Sequence, residues 1–389
     1  MTSIAYINGR VLTQGKVEDN LAIIVTGTQI EAVIKREHAI AEDIKTIDLA
    51  GNYVMPGFID TQVNGGGGVL FNESPDVAGI QAIGKAHSKF GTTGFLPTLI
   101  SDELDVIRQG VSAVEEAINQ GVPGVLGIHI EGPFLAHDRR GVHDAQKLQQ
   151  LTHEIINALE PLRSGQTLLT LAPETVSPDM IRSLTEKGFI VCGGHSNARY
   201  EQVNVAVEHG LRGFTHLFNA MSQLTAREPG MVGAALESKN TWCGIIADNH
   251  HVSPVSLKLA YRCKGPERLM LVTDAMPPVG SSQNEFSLLG KKVRVSDGVC
   301  RDPDGTLAGT ALDMASAVRN IIEDTGCSIP EASCMASASP AAFLGQQTDR
   351  GTIEAGKCAD LVITNAKLEV CTTLIGGKVV YNKDRTSVL

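Results

Sequence analysis

Glutamate and histidine residues stand where short apolar segments of this sequence end. Glu131 follows GVLGIHI, His195 follows GFIVCGG and His216 follows RGFT. One carboxylate and two imidazoles are a ligand set that catalytic zinc sites use while one position stays open for water. The three residues lie far apart in the chain, so their spacing carries little weight, and their position at segment ends carries more. A lone histidine at a strand end is more often a hydrogen-bonded structural residue.

Three further residues could take part in hydrolysis at such a site. Asp274 ends the apolar segment RLMLVT, and a carboxylate there could take a proton from metal-bound water and pass it to a leaving group. His143, in the loop DRRGVHDA, could polarise a carbonyl, and Arg227, in LTAREPGMVG, could bind a phosphate or carboxylate in a bidentate fashion. Taken singly, each also fits a common structural role: a helix cap, a solvated histidine and a surface ion pair.

The elements that must position these residues repeat between Tyr53 and Met276. Eight apolar segments alternate with helical candidates such as DELDVIRQGVSAVEEAINQ and SPVSLKLAYRC. Continuous apolar strands are typical of a parallel sheet covered on both faces, and eight β-α units predict a TIM barrel, an α/β fold. A doubly wound open sheet is the alternative. Functional residues of a barrel collect at the carboxyl ends of its strands. The polar or proline residues at those ends are Asp60, Gln62, Asn64, Pro97, Thr98, His129, Glu131, Pro173, Glu174, His195, His216, Asn219, Asp248, His251 and Asp274.

The two ends of the chain have a different pattern of apolar and polar residues. Segments such as LAIIVTGTQIEAVI and CADLVITNAKLEVCTTLIGGKVVYN indicate short antiparallel strands joined by turns. We therefore predict a barrel over residues 54–349 and a small discontinuous β-sandwich formed by residues 1–53 and 350–389. Two separate decorations of the barrel are the alternative.

Composition excludes several classes of partner. The 389 residues carry a net charge of −10 without a basic block, which argues against nucleic acid. The N-terminus does not resemble a secretory signal, and no apolar stretch approaches the roughly 20 residues of a membrane helix. The eight cysteines are scattered without a C-x-x-C pair, which predicts reduced thiols in a cytoplasmic protein.

The motifs resemble the amidohydrolase superfamily, and within it the deacetylases of N-acetylglucosamine 6-phosphate. MPGFIDTQVNG is similar to the first barrel strand of that superfamily. IHIEGPF, GGHSNA, THLFNAM, REPGMVGAAL, GIIADNHHV and LVTDAM follow in order, and GTIEAGKCADLVI resembles the segment that closes the small β domain. The resemblance covers essentially the whole chain.

The resemblance implies that water cleaves the acetamide of N-acetyl-D-glucosamine 6-phosphate to give glucosamine 6-phosphate and acetate. It assigns one divalent metal ion per subunit, most commonly Zn²⁺, to Glu131, His195 and His216. It makes Asp274 the general base and acid, and it places His143 at the acetamide carbonyl. It implies a homodimer or homotetramer in which phosphate-binding residues can cross the interface. The substrate contacts that it implies are Val142, Asn219, Ala220, Arg227, Asp248, His251, Leu307, Ala308 and Gly309.

The first barrel strand departs from the common superfamily pattern. Many amidohydrolases have H-x-H there for a second metal ion, whereas this chain has Gln62 and Asn64. Amides are weak zinc ligands beside imidazole, and the fourth strand ends in TLAPE, without a lysine that could bridge two ions. We therefore predict one metal ion, with Gln62 hydrogen-bonded to its water or to a neighbouring ligand. The glycines 65–68 lack the G-K-[ST] ending of a phosphate loop, and we expect a tight turn.

Two alternatives remain open from the sequence. One is another amidohydrolase, a deaminase or a cyclic amidase. The other is a barrel retained as a non-enzymatic scaffold. The absence of the H-x-H pair and the presence of Arg227 with His251 disfavour the first, and the complete set of ligands with Asp274 disfavours the second.

Overall fold

A computed structural model describes residues 2–41, 44–296 and 298–384. Residues 1, 42, 43 and 385–389 of the predicted terminal domain, and residue 297 of the predicted barrel, lie outside the described residues. The described chain forms one eight-stranded parallel sheet and four smaller sheets.

The strands follow one another in this order along the chain. They are β1 (Ser3–Ile7), β2 (Arg10–Thr13), β3 (Lys16–Glu18), β4 (Leu21–Thr26), β5 (Gln29–Lys35), β6 (Lys45–Asp48), β7 (Tyr53–Pro56), β8 (Phe58–Val63), β9 (Gly65–Gly66), β10 (Val69–Leu70), β11 (Thr92–Ile100), β12 (Gly127–Glu131), β13 (Gln166–Leu171), β14 (Phe189–Gly193), β15 (Gly213–Phe214), β16 (Trp242–Ile245), β17 (Leu269–Leu271), β18 (Glu285–Leu288), β19 (Lys291–Ser296), β20 (Val299–Arg301), β21 (Leu307–Thr310), β22 (Leu361–Thr364), β23 (Val370–Ile375) and β24 (Lys378–Asn382).

The helices lie mainly between the strands of the large parallel sheet and after β21. They are α1 (Arg36–Ala41), α2 (Val77–Ser88), α3 (Leu104–Asn119), α4 (His153–Ala158), α5 (Pro178–Glu186), α6 (Tyr200–Glu208), α7 (Gly230–Glu237), α8 (Pro254–Lys264), α9 (Met314–Thr325), α10 (Ile329–Ala336) and α11 (Ala338–Phe343). Three short 3₁₀ helices cover His137–Arg139, Ala145–Lys147 and Pro173–Thr175.

The eight-stranded sheet confirms the predicted TIM barrel. Its strands β8 and β11–β17 are parallel and neighbour one another in sequence order. The first and last strands also meet, through a parallel bridge between Val63 and Ala275 and a hydrogen bond of 3.0 Å from the amide of Asp274 to the carbonyl of Gln62. The alternative of an open doubly wound sheet is therefore wrong. Because the strands are parallel, the carboxyl ends of all eight lie at one mouth.

Helices cover the outside of the barrel with one apolar side each. In α3 the buried residues Ile107, Gly110, Val114 and Ala117 recur at spacings of three or four, which puts them on one face. No helix among the described residues is long and apolar enough to cross a membrane.

The segment YVMPGFID is two strands rather than the one strand that its apolar character predicts. Gly57 separates β7 from β8, and a Cβ atom there would lie 2.0 Å from the hydroxyl oxygen of Thr93. This close approach lets the chain pass from one sheet to the next. Strand β7 (Tyr53–Pro56) pairs with strands of the terminal sheet, so residues 54–56, which the sequence assigned to the barrel, lie outside the barrel sheet. The other predicted domain boundaries stay a prediction.

The two ends of the chain form one β-sandwich, as predicted. Strand β22 pairs antiparallel with β7, so the six-stranded sheet contains strands from both ends, and the four-stranded sheet β5-β4-β1-β6 is its partner. Apolar residues of both sheets pack in one cluster that includes Tyr6, Ile23, Val54 and Leu374. The alternative of two separate decorations is wrong because the sheet needs both ends.

A four-stranded antiparallel sheet, β18–β21, follows the last barrel strand and was not predicted. We call these strands the mouth sheet. Its last strand, β21, pairs with the segment that follows Asp274. Ala275 forms a bridge with Thr310, and the amide of Met276 donates to the carbonyl of Thr310 at 3.0 Å. Phe286, Val293 and Cys300 on its inner face pack against Leu70, Ile100 and Met276 at the barrel mouth.

Candidate metal centre

Glu131, His195 and His216 meet at the mouth of the barrel, within 4.8 Å of one another by their ligand atoms. Glu131 is the last residue of β12, His195 lies two residues after β14, and His216 lies two residues after β15. Nε2 of His195 and Nε2 of His216 lie 3.0 Å and 2.9 Å from Oε1 of Glu131, and the two nitrogens are 2.9 Å apart. Ligands of a tetrahedral zinc ion lie roughly 3.3 Å apart, so a small outward movement would accommodate an ion.

The hydrogen bonds around His195 and Glu131 indicate that these side chains can bind a cation. Nδ1 of His195 lies 2.8 Å from the carbonyl oxygen of Arg139, which can only accept, so Nδ1 carries the proton of the neutral ring. Nε2 of His195 then presents a lone pair toward Glu131 and His216. A carboxylate oxygen and a bare imidazole nitrogen repel unless a positive charge lies between them. Burial raises the pKa of Glu131, but the neighbouring imidazoles of His195 and His216 outweigh burial, so its pKa lies well below the usual value and the carboxylate is ionised.

The backbone at this mouth adopts a conformation that L-residues avoid. His195, His216 and Asp274 have φ values of +49°, +33° and +52°. Each such residue costs about 1–3 kcal/mol and persists only where its surroundings hold it. The chemistry-bearing side chains therefore depend on neighbouring residues that fix these turns.

Gln62 and Asn64 occupy the positions where a second pair of histidines would lie; Gln62 joins Glu131 to Asp274, and Asn64 contacts Asp274 alone. The Nε2 group of Gln62 donates to both Glu131 oxygens and to Oδ1 of Asp274, each at 3.2 Å. Nδ2 of Asn64 donates to the same Oδ1 at 2.5 Å. Gln62 therefore contacts a neighbouring ligand, one of the two partners expected for it. Both amides bind the same oxygen of Asp274 and leave Oδ2 free to carry a proton.

Asp274 is a partly buried carboxylate with a raised pKa. Burial and the charge of Glu131 raise the pKa of Asp274 to about 6, although the hydrogen bond from Asn64 lowers it. A group with a pKa near the working pH can both accept and return a proton, which suits a general base that later acts as an acid.

His143 lies beside the ligands with a defined tautomer. Its Nδ1 accepts from the backbone amide of Ser101 at 3.2 Å and lies 2.8 Å from the Ser101 hydroxyl. Its ring stands edge-on to His195, with centroids 4.6 Å apart. Burial lowers the pKa of His143 to about 3, so the ring is neutral. Because Nδ1 accepts, the proton lies on Nε2, and His143 is a neutral hydrogen-bond donor.

Asp248 and His251 form a buried pair after β16. Nδ1 of His251 lies 2.6 Å from Oδ2 of Asp248, and the amide of His251 donates to Oδ1 at 2.8 Å. Burial raises the pKa of Asp248, but the hydrogen bond with His251 outweighs it and the pKa is lowered. Asp248 thus orients the His251 ring. Arg227 lies on an exposed loop and makes no hydrogen bond or ion pair within the described part of the chain, so the chain itself does not fix its guanidinium.

The remaining predicted contacts lie on backbone segments around the mouth. Asn219 donates from Nδ2 to the carbonyl of His216 at 3.3 Å, and the carbonyl of Ala220 accepts from Ser196 at 2.9 Å. Val142 packs against the mouth sheet. A cleft of about 450 Å³ beside it is lined by residues 140–145 and by residues of the mouth sheet and of the turns between its strands. Leu307, Ala308 and Gly309 belong to β21 of the mouth sheet; the amide of Thr310, the next residue, donates to the carbonyl of Asp274 at 3.0 Å.

The glycine loop 65–68 buttresses the segment that follows Asp274. The amides of Gly65, Gly67 and Gly68 donate to the carbonyls of Ala275, Val279 and Pro277 at 2.7–2.8 Å. A Cβ atom on Gly65 would lie 2.4 Å from the carbonyl oxygen of Val69, so a side chain there does not fit. The tight turn was expected, and its contact with the chain after Asp274 was not.

Several residues that support the site carry little signal in the sequence. Asp60 was noted only as a strand-end residue. It is fully buried and accepts from the hydroxyl of Thr273 at 2.5 Å, which ties the first barrel strand to the last. Ser101 and Glu174 orient the elements around His143 and His195. Their partners are backbone groups or small hydroxyls, which are too common in sequences to reveal a site.

Known proteins resemble this chain over almost its full length. The Amidohydrolase family profile matches residues 53–380. An N-acetylgalactosamine-6-phosphate deacetylase of Shewanella sp. (strain ANA-3) is 44% identical over 381 residues, covering 97% of this chain and 95% of the relative. An N-acetylglucosamine-6-phosphate deacetylase of Haemophilus influenzae is 35% identical over 377 residues, covering 96% and 98%. The crystal structure of N-acetylglucosamine-6-phosphate deacetylase from Pasteurella multocida superposes with a TM-score of 0.92 at 35% identity, covering 97% of this chain and 99% of that one.

Proposed function

The chain belongs to the amidohydrolase family, and we propose that it hydrolyses the acetamide of N-acetyl-D-glucosamine 6-phosphate to D-glucosamine 6-phosphate and acetate, in amino-sugar catabolism. The observation that carries the proposal is the meeting of Glu131, His195 and His216 beside the proton-accepting carboxylate of Asp274. An amide resists hydrolysis because its carbonyl is resonance-stabilised and its amine is a poor leaving group. The site offers a separate group for each of these obstacles.

Glu131, His195 and His216 would hold one divalent cation per subunit, and the pairing of two imidazoles with one carboxylate favours Zn²⁺. Such a cation supplies Lewis acidity, which lowers the pKa of water to about 7 and polarises a carbonyl. A single ion is proposed because Gln62 and Asn64 direct amide N–H groups at Glu131 and Asp274. An N–H donor pointed at these oxygens occupies the lone pairs that a second ion would need.

Asp274 transfers the proton in the proposed reaction, and His143 stabilises the developing negative charge. Asp274 takes a proton from the attacking water on Oδ2, because Oδ1 is already saturated by Gln62 and Asn64. It then delivers this proton to the amide nitrogen as the C–N bond breaks. His143, a neutral Nε2–H donor, stabilises the negative charge that develops on the carbonyl oxygen.

The phosphate group orients the sugar from a distance. His251, which Asp248 orients, presents its other ring nitrogen, and the guanidinium of Arg227 supplies positive charge to a chain whose net charge is −10. Contacts to a remote phosphate can raise kcat as well as lower KM, because they hold the acetamide in the reactive position. The backbone around Val142, Asn219, Ala220 and residues 307–309 would line the sugar.

The galacto epimer is a second candidate substrate. The Shewanella relative, named for N-acetylgalactosamine 6-phosphate, is 44% identical to this chain, whereas the Haemophilus relative, named for the gluco epimer, is 35% identical. The two sugars differ only in configuration at C4, which is remote from the acetamide. Comparison of kcat/KM on the two phosphorylated sugars decides which one the site prefers.

Acetate release tests the proposed reaction. Metal-loaded protein should release one acetate per glucosamine 6-phosphate formed, and a chelator should abolish turnover. Asp274→Asn should fold and hold the metal yet lose nearly all turnover, since an amide cannot accept the proton; near-normal activity would remove the proton-transfer role. Failure of the metal-loaded protein to release acetate from either epimer overturns the proposal. Ammonia release or ring opening of a cyclic amide would favour another amidohydrolase reaction, and inactivity without metal binding would favour a scaffold.

A homodimer or homotetramer is proposed on the basis of exposed apolar residues near the phosphate contacts. Val255 and Leu259, 70% and 51% exposed, lie one turn apart on α8 just after His251, and Leu224, 57% exposed, lies three residues before Arg227. Association through these residues would explain why Arg227 has no partner among the residues of one chain that the structure describes. Leu259→Glu should yield monomers by light scattering. A monomeric wild-type chain would refute the proposal.

A cytoplasmic location is also proposed. All eight cysteines are free in the structure, and a reducing compartment keeps thiols in that state. Localisation of a tagged chain in the organism tests this, and recovery outside the cytoplasm would refute it.

A further inference from the structure

Glu174 is a carboxylate at the barrel mouth that the proposed reaction does not use. It lies on the 3₁₀ helix Pro173–Thr175, directly after the fourth barrel strand, β13. Its side chain is partly buried. Among the described residues it is not one of the group that could hold a metal, which consists of Glu131, His195 and His216.

Both oxygens of Glu174 bind the turn that carries His195. Oε2 accepts from the hydroxyl of Ser196 at 2.6 Å, and Oε1 accepts from the backbone amide of Asn197. Ser196 is itself buried, and its hydroxyl also accepts from the amide of Ala198 at 2.9 Å. One carboxylate thus organises three consecutive residues immediately after His195. Hydrogen bonds to an ionised acceptor are the strong ones, and they fix geometry as well as contribute energy.

The same turn is held from its other side by Arg139. The carbonyl of Arg139 accepts from Nδ1 of His195 at 2.8 Å, and its Nε donates to Oδ1 of Asn197 at 2.5 Å. His195 therefore lies in a turn that is fixed at the imidazole by Arg139 and at the backbone by Glu174. The turn needs such support because His195 has a left-handed backbone conformation, with φ of +49°.

We propose that Glu174 is a positioning residue for the metal ligand His195: by holding Ser196 and Asn197 it keeps the strained turn in the one conformation that points Nε2 at Glu131 and His216. The inference rests on the metal centre proposed above. Residues that support a metal ligand without touching the metal tune affinity strongly, and their loss typically weakens metal binding by about 10–100-fold.

Glu174→Gln tests the role with little change of shape. Glutamine keeps one acceptor oxygen but turns an N–H group toward a donor, so one of the two hydrogen bonds is lost. The matched control is Glu186→Gln on α5, an exposed glutamate without a hydrogen bond or ion pair among the described residues. Both variants are titrated with Zn²⁺ against a chelating dye, and the visible absorption of the Co²⁺-loaded protein reports the ligand geometry.

The expected result is a Zn²⁺ Kd raised about 10–100-fold in Glu174→Gln, with an altered Co²⁺ spectrum and both properties unchanged in Glu186→Gln. Excess metal should restore part of kcat and leave KM close to that of the wild type. A Kd within twofold of the wild type with an unchanged spectrum overturns the inference, and so does a lowered melting temperature without any change in Kd, which would mark a purely structural role.

Two further measurements keep the test decisive. If Glu174→Gln does not fold, Ser196→Ala removes the Oε2 partner instead, and the same Kd criterion applies to it. If both single variants fold, the double variant is also measured. Its loss of Zn²⁺ affinity should be smaller than the product of the two single losses, because both substitutions remove the same contact. Should the wild-type protein bind no Zn²⁺ or Co²⁺, the proposed metal centre fails, and the inference about Glu174 fails with it.

Discussion

Replacing His143 by phenylalanine removes a neutral hydrogen-bond donor beside the candidate metal ligands. His143 is buried, only 4% exposed, and its Nδ1 is occupied by the backbone amide of Ser101 at 3.2 Å. The proton on Nε2 is therefore the part of the ring that is available to a substrate. Phenylalanine keeps a ring of similar size against His195 and loses only the polar atoms.

The magnitude follows from the role of this donor. Removal of one hydrogen bond to the developing oxyanion costs about 2.7–4 kcal/mol, which lowers kcat about 10²–10³-fold. The amide of Ser101 also loses its acceptor, and a buried unsatisfied donor lowers the free energy of unfolding by about 1–3 kcal/mol. Ser101→Ala is the milder control. It retains the backbone donor to Nδ1 and removes only the hydroxyl at 2.8 Å, so kcat should fall by about tenfold or less.

The assay is acetate release at saturating substrate, with metal content and melting temperature measured on each variant. Because burial lowers the pKa of His143 to about 3, the ring stays neutral through the assay range, and the loss in His143→Phe should be the same at pH 6 and at pH 9. A loss below tenfold in fully metal-loaded protein refutes the donor role. A loss that varies across this pH range would show instead that His143 titrates and acts as an acid or base.

Three other predictions concern Arg227, the number of bound metal ions and His87. Arg227→Ala should lower kcat/KM for the phosphorylated sugar far more than for free N-acetylglucosamine, because only the former carries the anion; equal losses on both sugars would contradict a phosphate contact. Metal analysis of the purified protein should find about one tightly held ion per subunit, and two would disprove the interpretation of Gln62 and Asn64. Burial lowers the pKa of His87. The unfolded chain therefore binds more protons than the folded chain below about pH 6.5, and stability should fall as the pH drops, by up to about 1.4 kcal/mol per pH unit from this group. His87→Gln, which keeps a donor for the carbonyl of Gly65, should flatten the dependence of the melting temperature on pH, and an unchanged slope would remove His87 from the acid response.

The barrel could be predicted because its strands have a strong local signature. Segments such as Gly127–Glu131 and Phe189–Gly193 are buried along their whole length, so their residues before the strand end are apolar or small, with His129 as the exception. Polar residues then mark the mouth. That single feature places Glu131 and Asp274 at one end of the barrel without knowledge of any contact.

The mouth sheet and the contacts that position His195 could not be predicted from the sequence, each for a different reason. The alternation in KKVRVS and the turn at Leu289 and Gly290 do indicate a hairpin, but nothing local says that β21 will align with Ala275. The support of His195 depends on the carbonyl of Arg139, and every residue has a carbonyl. The freedom of Arg227 is likewise a property of the surface around it. Sequence patterns report burial well and report specific polar partners poorly.

The pairing of β7 with β22 also has a consequence for how the chain is made. A ribosome completes Tyr53–Pro56 roughly 300 residues before it completes Leu361–Thr364, the strand that covers its edge. At about 5–20 residues per second, this edge waits about 15–60 s for its partner. During that time Val54 and Met55, which are fully buried in the finished fold, lie on a strand with one open edge, and that edge can pair with other nascent chains. Production of the protein should therefore depend on chaperones that shield the growing chain, and slower translation should increase its loss to aggregates.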